Sequence, residues 1–199
     1  MLFIEKTEYT ADLSKMTYDF NKIISDVGWL EEKMEKNGKT YHAGQIGLTH
    51  RVDAEYPWYD AGGSLYSILK GGQFTDKEIS FTEWNPVGEY TKEIIENLKE
   101  SLGINFGRMR YMRLMPKKGL TVHKDFDVRY HYVLKTNEHS YFGLSEPTTD
   151  TIGTVEAKCY HLPADGYFYR VDTRRSHFVY NGGWEPRIHL VLADARHEK

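Results

Sequence analysis

Apolar residues recur at three- and four-residue spacing at Leu13, Met16, Phe20, Ile23, Ile24, Val27 and Leu30, which predicts an amphipathic helix within residues 11–36, ended by Asn37-Gly38. Residues 40–51 (TYHAGQIGLTHR) read as extended but weakly patterned. Residues 53–64 carry Tyr56-Pro57-Trp58-Tyr59-Asp60 and Gly62-Gly63 and read as an aromatic loop. The alternation in EISFTEW (78–84) predicts a strand, and GEYTKEIIENLKESL (88–102) a second amphipathic helix closed by Gly103. After Gly103 the pattern changes. RMRYMRLM, VRYHYVLKT, SYFGLS, TVEAKCYHL, GYFYRV, SHFVY and RIHLVLAD all read as short strands, separated by Pro, Gly, Asn and Asp. Strands at this spacing predict a sandwich or barrel-like jelly roll. The expected class is mainly β with flanking helices. One domain is expected over residues 1–199, with a helical and irregular part at 1–103 and a jelly-roll core at 104–199.

Composition narrows the picture. A chain of 199 residues can build a core without disulfides, and Cys159, its only cysteine, excludes an internal disulfide framework and any multi-cysteine metal site. The 40% apolar content is too high for wholesale disorder. The 15 tyrosines favour sheet. A net charge of −3 argues against a general nucleic-acid binder. No apolar run reaches the roughly 20 residues of a membrane span, and MLFIEKTEYT lacks the apolar stretch of an export signal, so a cytoplasmic protein with no membrane partner is expected.

Candidate chemistry begins at His123-Lys124-Asp125. Residues two apart on extended backbone project to one side, so an imidazole nitrogen and a carboxylate oxygen can bind one metal. Alone the pair is weak, and a surface histidine beside an acid is the commoner case. His177 and Arg187 add to it. Ten residues and a Gly-Gly/Glu-Pro bend separate them, which suggests a hairpin bringing both to one end of a barrel. Two histidines and a carboxylate leave three positions open on an octahedral iron(II), and an arginine offers a fork to a carboxylate.

The stretches RLMPKKGLTVHKD (113–125), RYHYVLKTN (129–137) and SHFVYNGGWEPRIHLV (176–191) resemble the iron(II)/2-oxoglutarate-dependent oxygenases, within them the aspartyl/asparaginyl β-hydroxylase-like branch that includes free-proline cis-hydroxylases. The resemblance covers roughly the last 90 residues. It implies a double-stranded β-helix (a cupin-like jelly roll), iron(II), and 2-oxoglutarate and O2 as cosubstrates, with release of succinate and CO2. It also implies hydroxylation of an amino-acid side chain, free or in a peptide. His123, Asp125 and His177 match the metal triad, Arg187 matches the arginine that holds the far carboxylate of 2-oxoglutarate, and His131 resembles a second cosubstrate contact. Arg129 faces cosubstrate or substrate. His189 stands where many relatives carry Ser or Thr, and Trp84 and the Tyr56–Tyr59 loop are candidates for a substrate mouth.

Strand periodicity points the same way. Arg129 and His131 share a face opposite Tyr130, Tyr132 and Leu134; Arg187 and His189 share one opposite Ile188, Leu190 and Leu192. A polar inner wall fits a barrel holding a polar ligand, whereas without a ligand the polar faces would turn to water. The rival expectations are a non-catalytic cupin-type binding module and a zinc hydrolase, the latter without an evident general base. His50, His139, His161 and His197 read as loop or terminal histidines, Cys159 as a small buried residue, and Gly62-Gly63 and Gly71-Gly72 as hinges of a lid or plain connections.

Overall fold

The computed structural model describes residues 2–29, 43–62, 78–147 and 155–197. The elements in order are β1 (Ile4–Thr10), α1 (Leu13–Val27), β2 (Ala43–Gly47), β3 (Thr49–His50), α2 (Pro57–Asp60), a 3-10 turn (Glu78–Ser80), β4 (Glu83–Trp84) and α3 (Glu89–Leu102). There follow β5 (Phe106–Leu114), β6 (Lys118–His123), β7 (Arg129–Lys135), β8 (Ser140–Pro147), β9 (Val155–Tyr160), β10 (Tyr167–Val171), β11 (His177–Asn181), β12 (Arg187–Asp194) and a closing 3-10 turn (Ala195–His197). Six strands pair in the order β1-β10-β7-β12-β5-β2, and four in the order β6-β11-β8-β9, with every pairing antiparallel.

The larger sheet uses its two faces differently. Met109, Tyr111, Tyr130, Tyr132, Leu190 and Leu192 point outward, where Met16, Phe20 and Ile23 of α1 and Ile95 and Leu98 of α3 cover them. Each side chain of this size contributes roughly 1.5–3 kcal/mol on full burial. The inner face meets the smaller sheet through Leu114, Val133, Phe142, Leu144, Val171 and Val179.

Side chains set the helix ends. Asp12 caps α1 by accepting from the Ser14 and Lys15 amides at 2.8 and 3.1 Å, and Gly28 follows its last turn. The start of α3 takes its cap from the other helix: buried Asp19 accepts from the Thr91 amide and hydroxyl at 3.0 and 2.9 Å. Gly88 leaves room for this carboxylate, since a Cβ there would stand 1.9 Å from the Asp19 Cγ. The two helices are thus tied to each other before they pack on the sheet.

Several expectations change. The first helix stops at Val27, and its expected continuation over 30–36, with Asn37-Gly38, lies outside the described residues, as do Gly63, Gly71 and Gly72. Within 78–84 only Glu83–Trp84 is strand, because Glu78–Ser80 turns as 3-10. The aromatic loop holds a short helix, with Trp58 on the core and the Tyr59 hydroxyl donating to the Val27 carbonyl. β1 and β6 were not anticipated. Cys159 is exposed rather than buried, because β9 is an outer strand of its sheet. Among the described residues no helix is long and apolar enough to cross a membrane.

Candidate metal centre

β6 ends at His123, β11 begins at His177, and the two residues are register partners across that strand pair. Asp125 follows β6, fixed by its amide donating to the Thr173 carbonyl at 2.9 Å. Ligand atoms of His123, Asp125 and His177 all lie within 4.8 Å of one another, with His177 Nε2 3.7 Å from Asp125 Oδ2. The two rings are oriented alike. His123 Nδ1 lies 2.7 Å from the Thr121 carbonyl, and His177 Nδ1 2.9 Å from the Arg175 carbonyl. A carbonyl only accepts, so each Nδ1 carries a proton and each Nε2 is the ring nitrogen left for a metal. Burial, which outweighs the opposing hydrogen bond to the Arg175 carbonyl, lowers the pKa of His177 and favours its neutral form. Two imidazoles and a carboxylate suit a ferrous ion.

Behind the triad, Arg129 Nε lies 2.9 Å from Asp125 Oδ2, and its Nη2 donates to Glu78 Oε1 at 3.1 Å. Arg108 Nε donates to Glu78 Oε2 at 2.8 Å. Gly107 lets the Glu78 backbone approach β5, since a Cβ at that position would stand 2.0 Å from the Glu78 carbonyl oxygen. Burial by itself would raise the Glu78 pKa. The Arg108 hydrogen bond and the charges of Arg129, Arg108 and Arg110 overcome it and bring the pKa from 4.5 to about 2. Because the folded value lies below the unfolded one, this stabilisation is complete above pH 4.5 and is lost as pH falls through about 2. The shift corresponds to about 3 kcal/mol. Glu78→Gln is therefore expected to cost roughly 3 kcal/mol at pH 7 and to flatten the loss of stability between pH 4.5 and 2. Urea melts at several pH values check both.

The triad opens into a cavity between the sheets, with about 570 Å³ of empty space including its mouth. Leu120, Phe142, Val179 and Arg187 are among the residues that line it. Arg187 is register partner of Leu114, whereas His131 is register partner of Val191, four residues further along β12. Arg187 is 7% exposed, lies over the Phe142 ring at 4.9 Å and donates to His189 Nδ1 at 3.1 Å. No described carboxylate pairs with it, and burial alone lowers its pKa to about 9. Burial, reinforced by Arg187, holds His131 and His189 well below the ordinary imidazole pKa, so both are neutral. Among the described residues, neither ring nitrogen of His131 has a hydrogen-bond partner.

The structure thus brings His123, Asp125, His177, Arg129, His131 and Arg187 to one cavity. His189 sits behind it, holding Arg187. Trp84 does not line it: it packs against the core beside Lys92, on another cavity shared with Phe81, Ile95 and Phe106. The expected hairpin between His177 and Arg187 is absent, because β11 and β12 belong to facing sheets. Their residues meet across the barrel instead. His50, His139 and His161 lie away from the cavity lining. Glu78 and Arg110 were missed. Arg110 was open to the same inner-face reading as Arg129 and His131, because Arg108 and Arg110 alternate with Met109 and Tyr111.

The fold is a double-stranded β-helix with a His-x-Asp…His cluster at its mouth. It resembles a prolyl-4-hydroxylase from Pseudomonas putida at 10% identity over 98% of this chain and 93% of that one, with a TM-score of 0.51. A 2OG-Fe(II) oxygenase family oxidoreductase from Burkholderia pseudomallei aligns at 12% identity over 80% of this chain and 69% of that one, with a TM-score of 0.45. A cupin domain from Bordetella pertussis aligns at 11% identity over 45% and 82%, with a TM-score of 0.32. No curated protein matches the sequence. The family model for aspartyl/asparaginyl beta-hydroxylase matches residues 74–197, more than half the chain. The chain belongs to that family, a branch of the iron(II)/2-oxoglutarate oxygenases, and is an oxidoreductase of the hydroxylase type.

Proposed function

We propose that this protein hydroxylates an amino-acid side chain, free or in a peptide, consuming 2-oxoglutarate and O2 and releasing succinate and CO2. The observation that carries the reading is the pairing of a His-Asp-His cluster with a buried arginine that lacks a carboxylate partner among the described residues, in one cavity. His123, Asp125 and His177 would hold the iron. Arg187, kept in orientation by His189 and the Phe142 ring, would bind the far carboxylate of 2-oxoglutarate. His131, neutral and without a hydrogen-bond partner among the described residues, would donate or accept a hydrogen bond beside it. When bound, iron and 2-oxoglutarate supply the oxidising power for C–H hydroxylation. The chain contributes orientation, charge neutralisation and exclusion of water: Arg129 holds Asp125 in place, and Leu120, Phe142 and Val179 keep the cavity walls apolar.

The test measures succinate formed by the purified protein with iron(II), 2-oxoglutarate and oxygen, alone and with amino acids or peptides. Expected are metal-dependent succinate and a product heavier by one oxygen atom. A protein that binds iron and 2-oxoglutarate but forms no succinate with any such compound would be a binding module.

A further inference from the structure

Glu78 lies outside the barrel strands, on the 3-10 turn before β4, yet its buried carboxylate sits between two arginines of the larger sheet. Arg108 of β5 holds both of its oxygens, Nε donating to Oε2 at 2.8 Å and Nη2 to Oε1 at 2.5 Å. The turn itself is anchored. The Phe81 amide donates to the Glu78 carbonyl at 3.3 Å, the Phe81 ring is 2% exposed with the Arg108 guanidinium over it at 5.2 Å, and Gly107 admits the Glu78 backbone to β5. Arg108 alone neutralises Glu78 and ties the turn to the sheet. The second arginine, Arg129 of β7, needs another account, and its remaining edge supplies one: it faces Asp125.

Asp125 follows β6, and its amide bond to the Thr173 carbonyl fixes its backbone but not its carboxylate. That carboxylate is 20% exposed, and one oxygen, Oδ2, lies 2.9 Å from Arg129 Nε and 3.7 Å from His177 Nε2. Arg129 is buried and reaches Glu78 Oε1 with its Nη2 at 3.1 Å. A guanidinium fork held at one edge presents its other edge in a fixed direction, so Glu78 sets where Arg129 meets Asp125. Charge acts in the same sense. A guanidinium beside a ligating carboxylate opposes an arriving divalent ion, and a second carboxylate on that guanidinium offsets the repulsion. Without the Glu78 charge, Arg129 would be drawn harder to Asp125, in competition with the metal.

Resting on the metal-dependent function proposed above, we infer that Glu78 is a positioning residue for the metal centre: it holds Arg129, and through it the Asp125 carboxylate, in the posture that accepts a divalent ion, and it offsets the guanidinium charge that this ion meets. The part of the chain before the barrel thereby completes a site whose candidate ligands all lie in the barrel sequence. Removing the direct partner of a metal ligand lowers metal affinity by about 10–100-fold, and Glu78 stands one residue further out, so a loss of about tenfold is expected. A Glu78 that only staples its turn to β5 would affect folding stability and leave the metal alone.

The experiment uses cobalt(II), which takes the same nitrogen and oxygen donors as iron and absorbs visible light. Affinity by equilibrium dialysis and the spectrum at saturating cobalt are read on the full chain, at a temperature where each variant is folded by its melting curve. Glu78→Gln is expected to weaken cobalt about tenfold and to shift its spectrum. Asp19→Asn, which removes a buried carboxylate from the α1–α3 contact on the outer face, is expected to lower the melting temperature and leave both metal readings as in the wild type. Arg129→Gln is expected to weaken cobalt as well, and adding Glu78→Gln to it to weaken cobalt by no more than about twofold further, because the two residues act as one unit. Glu78→Asp, which keeps the charge and draws it back by one methylene, is expected to give an intermediate loss, and it decides alone if Glu78→Gln does not fold. Wild-type cobalt affinity in Glu78→Gln (or in Glu78→Asp where that variant decides), an unshifted spectrum, an equal loss in Asp19→Asn, or losses that multiply in the double variant would each overturn the inference. A wild type that binds neither cobalt nor iron would overturn the proposed function itself.

Discussion

Alanine at position 177 is expected to abolish turnover and to strip iron from the protein. His177 is 2% exposed, its Nδ1 is committed to the Arg175 carbonyl, and its Nε2 lies 3.7 Å from Asp125 Oδ2. Removing even an outer partner of a metal ligand typically costs about 10–100-fold in affinity, so loss of a ligand should exceed about 100-fold. Iron content after dialysis and succinate formation measure the two effects. His177→Gln keeps most of the volume at this buried site and separates metal loss from packing loss. Asp125→Ala is the less clean test, because it also takes away the carboxylate that Arg129 faces. Iron retained in full by both His177 variants would remove this residue from the triad.

Arg187→Ala is expected to weaken 2-oxoglutarate binding while leaving iron in place. The guanidinium lies in a cavity wall away from the triad, so its loss does not touch the ligands. Truncating one member of a buried, hydrogen-bonded charge pair costs about 2–5 kcal/mol, or roughly 30- to 5,000-fold in affinity. The concentration of 2-oxoglutarate at half-maximal succinate formation, beside an unchanged iron content, checks the prediction. An unaltered requirement for 2-oxoglutarate would assign the anchor to another arginine.

What the sequence made legible follows from where each residue sits. β7 and β12 are central strands of the larger sheet, covered on both faces. Their alternation separated outward Tyr130, Tyr132, Leu190 and Leu192 from inward Arg129, His131, Arg187 and His189, because the two faces meet different surroundings. The strands not anticipated, β1 and β6, are both outer strands in the sheet orders. Partly solvated edges tolerate charged and small residues, and IEKTEYT and KGLTVH show no clean period. In β5 the signal for Arg110 was blurred by methionine, which stands outward at Met109 and lines the cavity at Met112. Glu78 was out of reach for another reason. Its partner Arg108 lies 30 residues away, and its short segment alternates like a strand while folding as a 3-10 turn. The hairpin expected between His177 and Arg187 failed because a bend between consecutive strands does not say whether the second stays in its sheet or crosses to the facing one.

The orientation of the two imidazoles carries a consequence for metal identity. Each ring is held by a carbonyl two residues earlier in its own chain, so the chelating posture is encoded locally and exists before any ion arrives. A preformed seat of this kind binds without rearrangement, and it does not discriminate strongly: later members of the first-row divalent series, cobalt, nickel and copper, bind nitrogen and oxygen donors more tightly than iron does. Cellular supply, more than affinity, would then decide which ion sits there, and preparations from differently supplemented growth media should differ in metal content while sharing one fold.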